Sequence, residues 1–235
     1  MVLAKLMKYS IGGGVILISL AAGTAQAFNL LQNGSFENTA GTFVNNGFGW
    51  MSLNPGSNVI PGWKTTTAEL LWGQNVNIDN ITTPFGSFLL DFTGYHNSFP
   101  YGGVTQTINT TVGQQYTLSL SLGTYQSNPV YIGPVSVEAT AGSSNQTFTF
   151  NPSGSGSQWS SFSFDFTATS TSTPISIVGT FSGGCCHIGL DNVSVEAKTT
   201  QTVPEPSTIL GLGLLGFGAF CQRKLAQGKK SKQDN

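Results

Sequence analysis

Charge is what this sequence has least of. Of its 235 residues only 8% are Asp, Glu, Lys or Arg, against about 25% in an ordinary soluble domain. The nine basic and ten acidic residues leave a net charge of −1. Lys5 and Lys8 stand near the start, and Arg223, Lys224, Lys229, Lys230 and Lys232 near the end. Between residues 28 and 203 the basic residues are Lys64 and Lys198, set against eight acidic ones, so that span carries −6 and no Arg. Phosphate backbones are gripped by clustered Lys and Arg. Nucleic-acid binding is excluded. Catalytic signatures are also missing: there is no Gly-x-Ser-x-Gly elbow, His-Glu-x-x-His pair or phosphate loop. Glu69, Asp79, Asp91, Glu138 and Asp165 occur singly, whereas glycoside hydrolysis needs two carboxylates across one bond. The expectation is a protein that is not an enzyme.

What the chain does have is glycine (30), phenylalanine (16) and a 39% hydrophobic fraction. Disordered chains are poor in aromatics because they have no core to fill, so the middle should fold. Its span of 176 residues, 28 to 203, is enough for one domain with a sizeable core. Apolar and polar residues alternate in Tyr116-Thr-Leu118-Ser-Leu120-Ser-Leu122, in Phe162-Ser-Phe164-Asp-Phe166 and in Phe148-Thr-Phe150. Val135-Ser-Val137 and Ile175-Ser-Ile177 are shorter instances. Period two over many short segments, separated by Gly, Asn, Pro and Ser, predicts antiparallel strands. Ile188 and Leu190 share one parity while Val193 and Val195 share the other. A β-bulge at Asp191 or Asn192 would absorb the shift and redirect the Asp191 carboxylate.

Both ends read as targeting segments. Lys5 and Lys8, the apolar stretch Ile11 to Ala22 and the small residues of Ala25-Gln-Ala27 form the three parts of a secretory signal. Signal peptidase would cut after Ala27, making 1–27 the signal helix. At the other end Pro204-Glu205-Pro206 is followed by the apolar run Ile209 to Phe220, then by Arg223-Lys224. Such a run is marginally long enough to cross a bilayer, with the basic pair staying cytoplasmic.

The segment Val203 to Lys224 resembles the PEP-CTERM sorting signal of Gram-negative bacteria and cyanobacteria. The resemblance implies recognition by an exosortase, transient membrane attachment, and delivery to the cell surface or extracellular matrix. The divisions are then 28–198 for the domain, 199–208 for the linker with its Pro-Glu-Pro motif, 209–221 for a transmembrane helix and 222–235 for the basic tail. The eleven residues after Lys224 lengthen that tail beyond the usual pattern.

Within the domain, Leu31-Gln-Asn33-Gly34-Ser35-Phe36-Glu37, Pro61-Gly62-Trp63, Val104-Thr-Gln106-Thr-Ile108 and Gly189-Leu190-Asp191-Asn192-Val193 together resemble the galactose-binding-like jelly roll of many carbohydrate-binding modules. The implied fold is all-β, an antiparallel β-sandwich. In similar jelly rolls a carboxylate after the opening Asn-Gly and another in the closing Leu-Asp-Asn strand help bind a structural calcium. Here these are Glu37 and Asp191, with turn capping or solvent exposure as the alternative. The resemblance also implies a polysaccharide partner, gripped without catalysis. A structural matrix protein without glycan recognition is the rival, and a polysaccharide hydrolase the weaker one.

Aromatic rings exposed on loops stack on sugar faces. Of the tryptophans, Trp63 after Pro61-Gly62 reads as core, and Trp72 as a ligand contact. Tyr95-His96-Asn97-Ser98-Phe99-Pro100-Tyr101 joins it as an aromatic loop rich in hydrogen-bonding groups; its candidate contacts are Tyr95, His96, Asn97, Phe99 and Tyr101. Cys185-Cys186-His187 is a poor metal motif, since adjacent strand side chains point to opposite faces. In an oxidising compartment Cys185 and Cys186 read first as a structural disulfide, with unpaired thiols or intermolecular bridges as alternatives. The Asn-x-Ser/Thr sequons at Asn33, Asn80, Asn109, Asn145 and Asn192 reflect composition.

Overall fold

The computed structural model describes residues 28–74, 80–96, 98–127, 133–183 and 187–198. The signal segment, Asn97, Cys185, Cys186, Pro204, Glu205, Pro206, the transmembrane run and Arg223-Lys224 lie outside them. Eleven strands follow in chain order: β1 (Trp50–Leu53), β2 (Lys64–Thr66), β3 (Leu70–Gln74), β4 (Phe88–Asp91), β5 (Gly103–Asn109), β6 (Gln115–Gln126), β7 (Val135–Ala141), β8 (Ser144–Phe150), β9 (Gly156–Thr167), β10 (Ser172–Phe181) and β11 (Gly189–Ala197). They form a six-stranded sheet in the order β1-β3-β4-β11-β6-β9 and a five-stranded sheet in the order β2-β5-β10-β7-β8. The architecture is the expected all-β sandwich of the jelly-roll kind. Among the described residues no helix is long and apolar enough to cross a membrane.

The alternating segments fold as their period demands. Tyr116, Leu118, Leu120 and Leu122 of β6 are buried between the sheets, as are Val135 and Val137 of β7 and Ile175 and Ile177 of β10. Phe162, Phe164 and Phe166 of β9 face the same core. Trp63 is buried, as its setting predicts, and donates its Nε1–H to the Asn33 carbonyl at 3.0 Å. Among the described residues the buried core runs from Leu31 to Val195, with Ala197 packed against it.

The parity break in β11 is a bulge. Its register against β6 shifts between Asp191 and Ser194, and Asn192 takes a positive φ of 50°. Leu190 and Val193 therefore both face the core although three residues apart. The N-terminal segment lies along this strand: Leu30 N donates to the Val195 carbonyl and Val193 N to the Gly34 carbonyl, each at 2.8 Å. Asn29 bridges both residues, its Nδ2 donating to the Val193 carbonyl and its Oδ1 accepting from Val195 N. Residues distant in sequence are thereby set beside each other.

Candidate functional site

That adjacency brings the Glu37 and Asp191 carboxylates into electrostatic contact. Asp191 is fully buried. Its Oδ2 accepts from the Thr83 hydroxyl and its Oδ1 from Asn192 N, both at 2.5 Å. Burial pushes its carboxyl up to about 7, the hydrogen bonds from Thr83 and Asn192 oppose the shift, and the charge of Glu37 adds to it. Glu37 is half-buried, and its Oε1 accepts from Ser87 N and Phe88 N at 2.7 Å each, capping the start of β4. No group of three or more His, Cys, Asp or Glu able to hold a metal occurs among the described residues.

The loop from Phe92 to Gly102 leaves β4 and crosses the start of β3. It is clamped there. Gly102 N donates to the Phe92 carbonyl at 2.6 Å and the Thr67 hydroxyl to the Tyr101 carbonyl at 2.8 Å. A Cβ at Gly102 would meet Leu70 Cβ at 2.7 Å, and one at Gly94 the Glu69 carbonyl at 2.8 Å. Only glycine lets the loop approach so closely. These contacts hold both ends of the loop against the start of β3.

Tyr95 and Phe99 are 65% and 75% exposed, and His96 is also exposed. Trp50, on the outer face of β1, lies 5.9 Å from the Tyr95 ring, and His96 stands edge-on to Tyr95 at 5.7 Å. Beneath them is a cavity of about 210 Å³ lined by Ala68, Glu69, Thr93, His96, Ser98 and Pro100. The Ser52 hydroxyl donates to Glu69 Oε1, and His96 Nε2 stands 3.7 Å from Glu69 Oε2. Trp50 and Glu69 are additions to the expected site. Neither carries a local signature, and only the pairing of β1 with β3 sets both under the loop.

Two expected ligand contacts are corrected. Trp72 has no exposed surface. It sits mid-strand in β3 against Phe43 and Phe88, at 5.3 and 5.7 Å, and donates Nε1–H to the Phe36 carbonyl at 3.2 Å. It is core, because β3 is covered on both faces. Tyr101 is 8% exposed, and its hydroxyl is bonded to Ser182 Oγ at 2.8 Å inside the sandwich. The clamp at Gly102 turns it inward while Phe99 stays outside. Next to the undescribed cysteines, His187 Nδ1 meets Asp91 Oδ2 at 2.8 Å, both groups buried. Asp91 Oδ1 also accepts from Thr93 N, the Thr93 hydroxyl and Ile188 N. That pair ties the end of β4 to the start of β11.

A family model described as a protein of unknown function, DUF642, matches residues 29–196. A PEP-CTERM protein-sorting motif matches residues 202–224. No curated protein matches the chain. Among solved structures it is similar to a CBM4 protein, 17% identical over 72% of this chain and 99% of that one, with a TM-score of 0.37. A CBM61 protein in complex with β-1,4-galactotriose is 12% identical over 73% of this chain and 99% of its own, with a TM-score of 0.38. CBM35 from Paenibacillus barcinonensis is 15% identical over 63% and 99%, with a TM-score of 0.39.

Proposed function

The chain belongs to the DUF642 family and carries a PEP-CTERM sorting motif behind its sandwich, and on that premise we propose that it is an exported bacterial protein whose sandwich binds carbohydrate without turning it over. In this reading signal peptidase removes 1–27 and an exosortase acts at Pro204-Glu205-Pro206. The domain is delivered to the surface or extracellular matrix of a Gram-negative bacterium or cyanobacterium. Polysaccharide there is its partner.

The observation that carries the binding reading is the clamped loop, which holds Tyr95 and Phe99 open to solvent beside Trp50 and the cavity. Large rings kept in water at a fixed position are what a sugar's C–H faces stack on. The cavity lining supplies one carboxylate, Glu69, where hydrolysis would call for two. That single carboxylate supports the reading of binding without turnover. We assign Glu37 and Asp191 to a structural calcium ion on the same premise. Two like charges brought together, one of them fully buried, fit a cation that accepts carboxylate, carbonyl and hydroxyl oxygens in flexible number.

The test uses residues 28–198 on a glycan array and on the producer's own matrix polysaccharide. Saturable binding that Tyr95→Ala abolishes, with the melting temperature unchanged, is the expected result. No binding to any glycan would sink the reading. A structural matrix role is the second reading, and one observation favours it. β9 is a 12-residue edge strand whose single charged residue is Asp165, and unguarded edges invite pairing.

A further inference from the structure

The one carboxylate that lines the cavity under the aromatic loop is Glu69, beside His96 and the hydroxyls of Thr93 and Ser98. Glu69 has one oxygen engaged by the Ser52 hydroxyl. The other stands 3.7 Å from His96 Nε2, beyond hydrogen-bonding distance. The Glu69 side chain is 21% exposed and that of His96 77%, so the carboxylate is the more sheltered of the two. A carboxylate only accepts. The group that pairs with Glu69 must therefore donate.

Its surroundings select among donors. The lining contains no Lys or Arg. In the span 28–198 the basic residues are Lys64 and Lys198 against eight acidic ones, and Lys198 is held by Asp165 at 2.6 Å. A uronate would meet a carboxylate of its own sign. A protonated amine would pair with that carboxylate, a charge-assisted contact.

We propose that the glycan this site takes is an amine-bearing one, a polysaccharide with de-N-acetylated amino-sugar units, whose ammonium pairs with Glu69 while its ring stacks on Tyr95. The inference rests on the carbohydrate-binding reading and sharpens it to a substrate class. Hydrogen bonds to charged groups are about twice as strong as neutral ones. The amine form should therefore be bound about tenfold more tightly than its acetylated counterpart, a ratio of the size one charge-assisted contact supplies.

Calorimetric titration of residues 28–198 at neutral pH, with glucosamine oligomers, N-acetylglucosamine oligomers of equal length and oligogalacturonate, tests this. The expected order is amine first, acetylated second and uronate unbound, with the preference for the amine shrinking as salt is raised. Glu69→Gln should bring the amine-to-acetyl ratio close to one, with circular dichroism showing an unchanged fold. Should Glu69→Gln unfold the domain, His96→Glu at the exposed rim is the second variant and should increase the ratio. Equal binding of both oligomers, a preference that survives Glu69→Gln, or a preference for uronate overturns the amine assignment and leaves glycan binding standing. No binding to any of the three, nor to any glycan of the array, overturns both.

Discussion

Burying a carboxylate disfavours its charged form, and Asp191 pays that cost in full. Its carboxyl is pushed from 3.8 up to about 7, chiefly by burial. A carboxyl whose pKa is higher in the folded than in the unfolded chain holds its proton more tightly when folded. Its contribution to stability is complete below pH 3.8 and is lost as the pH rises through about 7. At about 1.4 kcal/mol per pKa unit, the loss is up to about 4 kcal/mol. In chelator, the melting temperature of the native domain should fall between pH 4 and 7 relative to that of Asp191→Asn. Parallel curves for the two proteins would remove Asp191 as the cause. Calcium should reverse the fall in the native domain, by about 2.7 kcal/mol at a hundred times its dissociation constant, and do nothing for the variant. The closeness of Glu37 and Asp191 was legible through the resemblance of the opening and closing motifs to jelly rolls that pair them, and the bulge through the parity break at Asp191. The burial of Trp72 was not, because a tryptophan inside an apolar run looks the same from sequence whether the run is covered on one face or two.

Strands buried on one face announce themselves by alternation, and those buried on both do not. This separates β6, β9 and β10, each visible in the sequence, from β3 and β4, whose Leu70–Gly73 and Phe88–Asp91 stretches are buried throughout. What covers the outer face of the six-stranded sheet is a second apolar cluster, Leu71, Ile81 and Leu89, with Trp50, Tyr125 and Trp159 packed on it. One row across that face runs Gly189 on β11, Gly123 on β6 and Trp159 on β9, in register. The Trp159 indole lies over both glycines and donates Nε1–H to the Thr82 carbonyl at 2.6 Å. A Cβ at Gly123 would fall within the indole ring system. Gly123→Ala should therefore cost about 1–3 kcal/mol by overpacking, read as a shift in the urea midpoint. In Trp159→Ala the same substitution should cost at least about 0.5 kcal/mol less, the coupling expected of residues in contact. Full additivity would mean that the ring does not hold the position described.

At the scale of the whole molecule the two sandwich edges are unlike. On one side the sheets end in β1 and β2, of 4 and 3 residues; on the other they end in β8 and β9, of 7 and 12. Short edge strands are one guard against unwanted pairing, and charge is another. The long side has neither. The single charged residue from 144 to 167 is Asp165, and Lys198 holds its carboxyl below the usual range, with Thr117 assisting. Phe148, Phe162 and Phe164 meet at the mouth between these two strands, with centroids 5.2 and 6.2 Å apart. The aromatic loop lies at the β1 end of the six-stranded sheet, so a second copy pairing along β9 would leave both binding loops free. Two linked sites on one polymer raise apparent affinity by about 10²–10⁴ without any new contact. Sedimentation of residues 28–198 should therefore show concentration-dependent dimers. Ser163→Lys, an exposed outer-face change on β9, should abolish them and weaken binding to polymeric glycan while leaving short oligomers unaffected. A domain that stays monomeric at millimolar concentration would make the edge inert and remove the structural reading, leaving recognition by the loop to account for the protein alone.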